Sequence, residues 1–291
     1  MKVVVNVIKT LRLKDWIKNV FIFAPMIFSF HMFQMEYVKT SFIAFILFSF
    51  ITGSVYIFND IIDKDYDKNH PVKKKRPIAS GNLSVFNAYI SLFVILFIDL
   101  ILIYKFNLKF FYLSVFYLIL NLLYSLVLKK VVILDIMVIS VGFVLRVMIG
   151  GYVNNIYLSP WILITTFLLA IFLALIKRRQ EIVRLGVNSA DTRKILKKYN
   201  LEFVNQLISI TTALTIIAYI IYVIMPGIQK KFHSENLYFT VPFVIFGLFR
   251  YLYLTYVKDM GESPADIILS DSAFTFNIIL WVGVFIYLVI G

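Results

Sequence analysis

An all-α, polytopic membrane fold is what the sequence predicts, on three observations. Apolar residues fill 61% of its 291 positions, with a mean hydropathy of +0.87, more than a soluble domain of this size can cover with polar surface. Runs long enough to cross a bilayer, which takes roughly 20 helical residues, recur along the whole chain. Most of the charge lies between the runs, and on alternate sides.

In chain order, the runs fall at about 17–36, 40–60, 84–104, 108–128, 132–150, 160–177, 203–225, 238–257 and 272–290, and predict nine helices. The first follows a charged arm. Trp16 fits an interface anchor, Asp15 and Lys18 can pair or touch head groups, and Asn19 falls near the start of the helix. Its long charged lead-in, Pro25 and the lack of a small-residue cleavage site argue against a signal peptide. Glycines inside later runs, such as Gly53, Gly142 and Gly150, are tolerated where neighbouring helices close in. The longest polar stretches, 61–83 and 178–202, are too short for a soluble domain, so residues 1–291 read as one membrane domain.

With nine spans and the N-terminus inside, 22 of the 29 Lys and Arg residues fall on one face. Lys39, Lys105, Lys109, Lys230 and Lys231 fall on the other, and Arg146 and Arg250 within helices. This is the positive-inside pattern, which makes the charged face cytoplasmic. The net charge of +13 is thereby assigned to topology and lipid contact rather than to nucleic acid. Cysteine is absent, which removes disulfides and thiolate metal sites.

The chemistry concentrates in NDIIDKDYDKNHPVKKKRPIASG, residues 59–81. If the second helix runs on through its charged end, Asn59, Asp60, Asp63 and Asp67 share an arc of roughly 100°, with Asp65 opposite. Like charges one turn apart destabilise a helix, and carboxylates near the apolar layer are costly without partners. Oxygen ligands without His or Cys suit Mg²⁺, which completes its shell with water and substrate phosphates. Lys73, Lys74, Lys75 and Arg76 would hold phosphate oxygens. Pro71 and Pro77 stop the helix near residue 70 and turn the basic run back over the acids, and Gly81 leads into the next helix. The alternative is a solvated, charge-balanced loop that fixes topology, against which the shared face counts.

The pattern Asn59-Asp60-x-x-Asp63-x-x-x-Asp67 resembles the first motif of the UbiA superfamily of intramembrane prenyltransferases. That resemblance implies nine helices around a polar cavity facing the cytoplasm, with Mg²⁺ and a diphosphate at this motif. The stretches LRLKDWIKNVFIFAP (11–25), HPVKKKRPIASG (70–81), YSLVLKKVVILD (124–135), GFVLRVMIGG (142–151) and GESPADIILSD (261–271) look most like the decaprenyl-phosphate phosphoribosyltransferase branch. Enzymes of that type move a phosphoribosyl group from 5-phosphoribosyl 1-diphosphate to a polyprenyl phosphate. Lys73 and Arg76 carry over as phosphate ligands; His70 carries over only a turn or packing role. Where ordinary family members have a second aspartate-rich motif, this chain reads KRRQEIVRL at 177–185; Lys177, Arg178 and Glu181 match the phosphoribosyl branch, while Arg179 and Gln180 replace its aromatic and small positions.

Further substrate-binding candidates are Tyr124 and Lys129, at the end of the fourth run, and Asp135 and Arg146 in the fifth. Arg146 at membrane depth is expensive unless it binds a phosphate or neutralises an acid. Asp135 fits a supporter of the metal site or a partner of Lys129 or Lys130. Ser263 before Pro264 reads as a helix N-cap, with Asp266 as the acid of a capping box. Three functions remain open: phosphoribosyl transfer, prenyl transfer from a prenyl diphosphate to an aromatic acceptor, and lipid or anion transport. The last is disfavoured because there is no clear inverted repeat.

Overall fold

The computed structural model describes residues 2–69, 73–185, 198–260, 267 and 270–290. His70, Pro71 and the cap expected at 263–266 lie outside the described residues. Among the described residues, the α-helices of nine or more residues are α1 (Lys2–Thr10), α2 (Met35–Ile62), α3 (Val85–Phe106), α4 (Leu108–Leu126), α5 (Leu134–Val153), α6 (Pro160–Leu185), α7 (Leu201–Ile224), α8 (Val241–Tyr256) and α9 (Ser272–Ile290), with shorter ones between them. Among the described residues, the eight from α2 to α9 are long and apolar enough to cross a membrane, α8 together with its lead-in from Asn236.

Local chemistry sets several of the starts. Ser84, Asn107 and Asn200 each accept a hydrogen bond from a first-turn N–H, of Asn87 (3.1 Å), Phe110 (2.9 Å) and Glu202 (2.9 Å). Pro160 opens α6, where a missing N–H costs nothing. Gly81, at φ +79°, makes the left-handed turn before α3 that other residues rarely adopt.

Two expectations are corrected. The first run is not an α-helical span: Leu13–Phe23 and His31–Phe33 are 3₁₀, with one short α turn at Ala24–Ile27. It lies antiparallel to α2, since Arg12 meets Asp60, Asn19 meets Ser49 and Thr52, and Met26 meets Ser41. Fourteen residues at a 3₁₀ rise of ~2.0 Å match nineteen α-helical residues at 1.5 Å, about 28 Å each. The stretch keeps polar Asn19 level with the two hydroxyls that satisfy it. The second correction concerns KRRQEIVRL, which is part of α6 rather than a loop. No Gly or Pro interrupts residues 161–185, and Arg178 pairs with Glu181 one turn on.

The chain packs as two compact units, one of residues 1–129 and 141–158, the other of residues 130–140 and 159–291. The first has fully buried Ile22, Phe48, Ile51, Phe110 and Ile149 at its centre, and a second cluster around Leu11, Ile57, Ile78 and Leu83. Small residues let its backbones approach, as membrane helices require where lipid is as apolar as the core. A methyl group on Gly150 would lie 1.9 Å from the Ile22 carbonyl oxygen. The second unit is built on Phe172, Leu175, Ile176, Val204, Ile208 and Leu254.

Candidate functional site

In the first unit the acidic end of α2 is held by two arginines from distant parts of the chain. α2 ends at Ile62, Asp63 has φ −88° and ψ 9°, and a short helix follows at Lys64–Lys68. The hydrogen bonds Asp63 N–H to Asn59 O and Asp67 N–H to Asp63 O, at 2.9 and 2.8 Å, carry the helical pitch across the join. Asp60 and Asp67 therefore stay on one side and are nearly sealed, at 2% and 1% exposure.

The chain then turns back. Arg76 Nη1 donates to Asp60 Oδ1 at 3.1 Å and to Asp67 Oδ2. Arg12 Nη2 donates to the same Asp60 oxygen, from a left-handed backbone at φ 52° and with its guanidinium 4.8 Å from the centre of the Tyr56 ring. Asp67 Oδ1 is buried and has no hydrogen-bond partner among the described residues.

Around this core, Asp63 accepts from Lys129 Nζ at 3.0 and 3.4 Å, and Asn59 Oδ1 accepts from Ser125 Oγ. Tyr124, half-buried, precedes that serine. Lys73 lies 5.4 Å from the centre of the Tyr66 ring. Asp65 is exposed and pairs with Lys68 at 3.0 Å, a hydrogen bond that holds its carboxyl below the usual carboxylate range.

As they stand, no three His, Cys, Asp or Glu side chains converge as a metal cage among the described residues. Asp60 and Asp67 converge on Arg76, and Asp63 and Asn59 are engaged beside them. This donor set still fits Mg²⁺, which is commonly bound through one or two carboxylates with substrate phosphates and water completing its octahedron. The unpartnered Asp67 oxygen offers a lone pair to such an ion.

Arg146 is also in the first unit and 5% exposed. Its Nε donates to Asn19 Oδ1 at 2.8 Å, Nη1 to Gly142 O at 2.6 Å and Nη2 to the Tyr117 hydroxyl at 3.4 Å. Phe48, Tyr117 and Phe143 surround it with ring centres 5.3–5.4 Å away. Aromatic faces and neutral oxygens, rather than an acid, are what these contacts give it.

The second unit has its own cluster. Asp135 does not partner Lys129 or Lys130; its oxygens accept from Arg178 Nη2 at 2.7 Å and from the Tyr199 hydroxyl at 2.7 Å. The reason is the extension of α6, which holds Arg178 and Glu181 on one helix face, one turn apart, instead of in a loop. Arg178 Nη1 also donates to Glu181 at 2.6 Å, while Lys177 is exposed. Tyr199 accepts from the Ile133 N–H at 2.9 Å. Burial, with the bond to Asp135, pushes its hydroxyl above the ordinary tyrosine range, so it remains a donor.

Sequence reasoning missed Arg12, Ser125 and Tyr199. Arg12 stands in a stretch quoted for resemblance, but nothing in its spacing ties it to an acid 48 residues away. It also missed Asp99 in α3, 4% exposed with Oδ2 lacking a hydrogen-bond partner among the described residues.

A family model described as the UbiA prenyltransferase family matches residues 20–288. A decaprenyl-phosphate phosphoribosyltransferase of Corynebacterium glutamicum is 30% identical over 287 residues, covering 95% of this chain and 84% of that protein. The uncharacterized protein y4nM of Sinorhizobium fredii is 36% identical over 187 residues, 62% of this chain, which spans only 35% of that relative's length. Among solved structures, a UbiA homolog from Archaeoglobus fulgidus bound to DMAPP and Mg²⁺ has the same fold, with a TM-score of 0.71 at 17% identity over 98% of this chain and 99% of that one. The match over nearly the whole length, with a relative 30% identical across it, means that the chain belongs to the UbiA prenyltransferase family.

Proposed function

We propose that this protein transfers a phosphoribosyl group from 5-phosphoribosyl 1-diphosphate to a polyprenyl phosphate and releases diphosphate, with Mg²⁺ as cofactor and the site facing the cytoplasm. The observation that carries the reading is the Asp60–Arg76–Asp67 cluster with Arg12 beside it. It combines oxygen ligands for a hard cation with guanidinium forks for phosphate. The similarity to decaprenyl-phosphate phosphoribosyltransferases along most of the chain supports the choice of donor and acceptor.

Asp60 and Asp67, with Asn59 and Asp63 beside them, would hold Mg²⁺, which supplies Lewis acidity at the diphosphate oxygens. Arg12, Arg76 and Lys73 bind the leaving diphosphate and take up its growing charge. The bond from ribose C1 to the diphosphate oxygen breaks with its electron pair leaving on oxygen, and an oxygen of the lipid phosphate bonds to C1. That oxygen is already ionised, so the protein needs to place it rather than deprotonate it. In this reading Lys129 positions Asp63, and Arg178 is engaged by Asp135 and Glu181 within its own unit.

The test is to incubate purified protein with Mg²⁺, polyprenyl phosphate and 5-phosphoribosyl 1-diphosphate labelled in the ribose. Label in the lipid fraction, lost in Asp60→Asn and Asp67→Asn, supports the reading. Turnover only of a prenyl diphosphate with an aromatic acceptor replaces it with prenyl transfer, the reading that the DMAPP-bound fold neighbour favours.

A further inference from the structure

We propose that α7 and α8 form a lipid site that selects an ammonium-bearing phospholipid head group of the phosphatidylethanolamine type. An open cavity of about 540 Å³ lies between the start of α7 and the end of α8, lined by Glu202, Asn205, Gln206, Ser209, Tyr253 and Tyr256 with two aliphatic residues. Tyr253 also borders a second cavity of about 500 Å³, which follows one face of α8 through Pro242, Ile245, Phe246 and Phe249, with Arg250, neutralised by Asp271, at its edge. A polar chamber and a mostly apolar lane thus meet at Tyr253. That is the profile of a lipid, head at one end and chain along the other.

Glu202, Asn205, Gln206 and Ser209 recur at three- and four-residue spacing and share one face of α7. Ser209 stands about 12 Å along the helix from its start, whereas the polar layer on each side of a bilayer is only ~5–8 Å thick. Glu202, Gln206 and Ser209 are all exposed. Ser209 Oγ donates back to Asn205 O at 3.1 Å, which leaves Glu202 and Gln206, nearer the start of this face, as the polar ends that a lipid head can meet where water is scarce.

The chamber is prebuilt. Asn205 Oδ1 accepts from Arg179 Nε at 3.1 Å and from the Tyr256 hydroxyl at 2.9 Å, and the Arg179 guanidinium stacks 3.9 Å from the centre of the Tyr256 ring. Arg179 is 9% exposed and bears a positive charge below the floor. At the rim, Glu202 has no ion-pair partner among the described residues, and the rings of Tyr253 and Tyr256 are partly exposed beside it. A carboxylate and aromatic faces attract an ammonium, and a cation beneath them favours the phosphate to which that ammonium is tethered. A singly anionic head would meet the exposed Glu202 carboxylate before it reached Arg179, which is 9% exposed and already engaged by Asn205 and the Thr255 carbonyl. Charge therefore favours a zwitterion over an anionic lipid, polyprenyl phosphate included.

The test is native mass spectrometry of the full chain, stripped of lipid in detergent and then given phosphatidylethanolamine and phosphatidylglycerol of identical acyl chains. Retention of phosphatidylethanolamine should exceed that of phosphatidylglycerol by roughly two- to fivefold, the size of one exposed charged contact. Glu202→Gln, at an exposed position, should erase the preference without lowering the unfolding temperature in detergent, and Tyr253→Leu should reduce it. Equal retention of the two lipids, or a preference that survives Glu202→Gln, overturns the proposal. So does displacement of phosphatidylethanolamine by equimolar polyprenyl phosphate, which would make the groove an acceptor site.

Discussion

Arg76→Met removes the one guanidinium that two sealed carboxylates share. Asp60 keeps Arg12, but Asp67, at 1% exposure, loses the only ion pair it makes among the described residues, and its Oδ1 already lacks a partner. Breaking a buried pair by deleting one side typically costs about 3–5 kcal/mol. Arg76 is 26% exposed, so water can reach part of the gap, and the expected loss is near the lower bound, about 3 kcal/mol. A divalent ion that takes the place of the guanidinium, present at a hundred times its dissociation constant, restores about 2.7 kcal/mol. The two magnitudes nearly cancel. The variant should therefore be less stable than the parent without metal and recover most of the difference with Mg²⁺, which choline chloride of matched ionic strength should not reproduce. Denaturant unfolding in detergent, followed by tryptophan fluorescence over a Mg²⁺ series, reads both arms. A variant as stable as the parent without metal, or a loss that Mg²⁺ leaves in place, would refute the view that arginine and cation compete for these carboxylates.

Gly150→Ala should destabilise the protein by about 1–3 kcal/mol or more, because the added carbon would meet backbone, the Ile22 carbonyl carbon and oxygen at 2.8 and 1.9 Å; an unchanged thermal transition would count against this packing. Tyr199→Phe leaves an oxygen of the buried Asp135 and the Ile133 N–H without their partner, and should cost about 1–3 kcal/mol in the same measurement. Arg250 donates to both Asp271 oxygens at 3.1 and 2.7 Å, and that hydrogen bonding holds the Asp271 carboxyl below the usual carboxylate range. A depressed folded-state value stabilises above the unfolded value, near 4, and the contribution disappears as pH falls through the folded one. Asp271→Asn should therefore be less stable than the parent at pH 7, with the gap shrinking as pH falls from about 4 through the depressed folded-state value; a gap that does not shrink on acidification below about pH 4 rejects the pairing.

Most helix positions were legible in the sequence because lipid solvation leaves a coarse record. The run expected at 272–290 became α9 over the same residues, and 108–128 became α4 ending at Leu126. What failed did so where a polar side chain overrode the apolar pattern. Asn19, 1% exposed, is satisfied by Ser49, Thr52 and Arg146 only along a 3₁₀ path, and no window of hydropathy registers that requirement. The α6 extension was obscured because charge was read as the end of a helix, although Lys, Arg, Gln and Glu are good helix formers. The carboxylate spacing at the end of α2 was readable since it is local. Arg12, Ser125 and Tyr199 act across 48, 66 and 64 positions of chain, and partners that far apart meet only through the fold.

Each unit sets one arginine between two acids, and the difference between the two settings bears on which is suited to exchange its cation. Arg178, 5% exposed, joins fully buried Asp135 to Glu181, and Tyr199 fills the other Asp135 oxygen. Extracting that guanidinium would leave a buried acid with no path for a replacement ion, a cost of several kcal/mol. Arg76 is five times more exposed, follows a turn rather than lying mid-helix, and leaves an oxygen of Asp67 unfilled. The carboxylates of this cluster are sealed while the arginine is not. A cation entering from solvent can displace Arg76 without first unfolding α2, and the released guanidinium, still tethered nine residues from Asp67, is then available to the phosphates that accompany the ion.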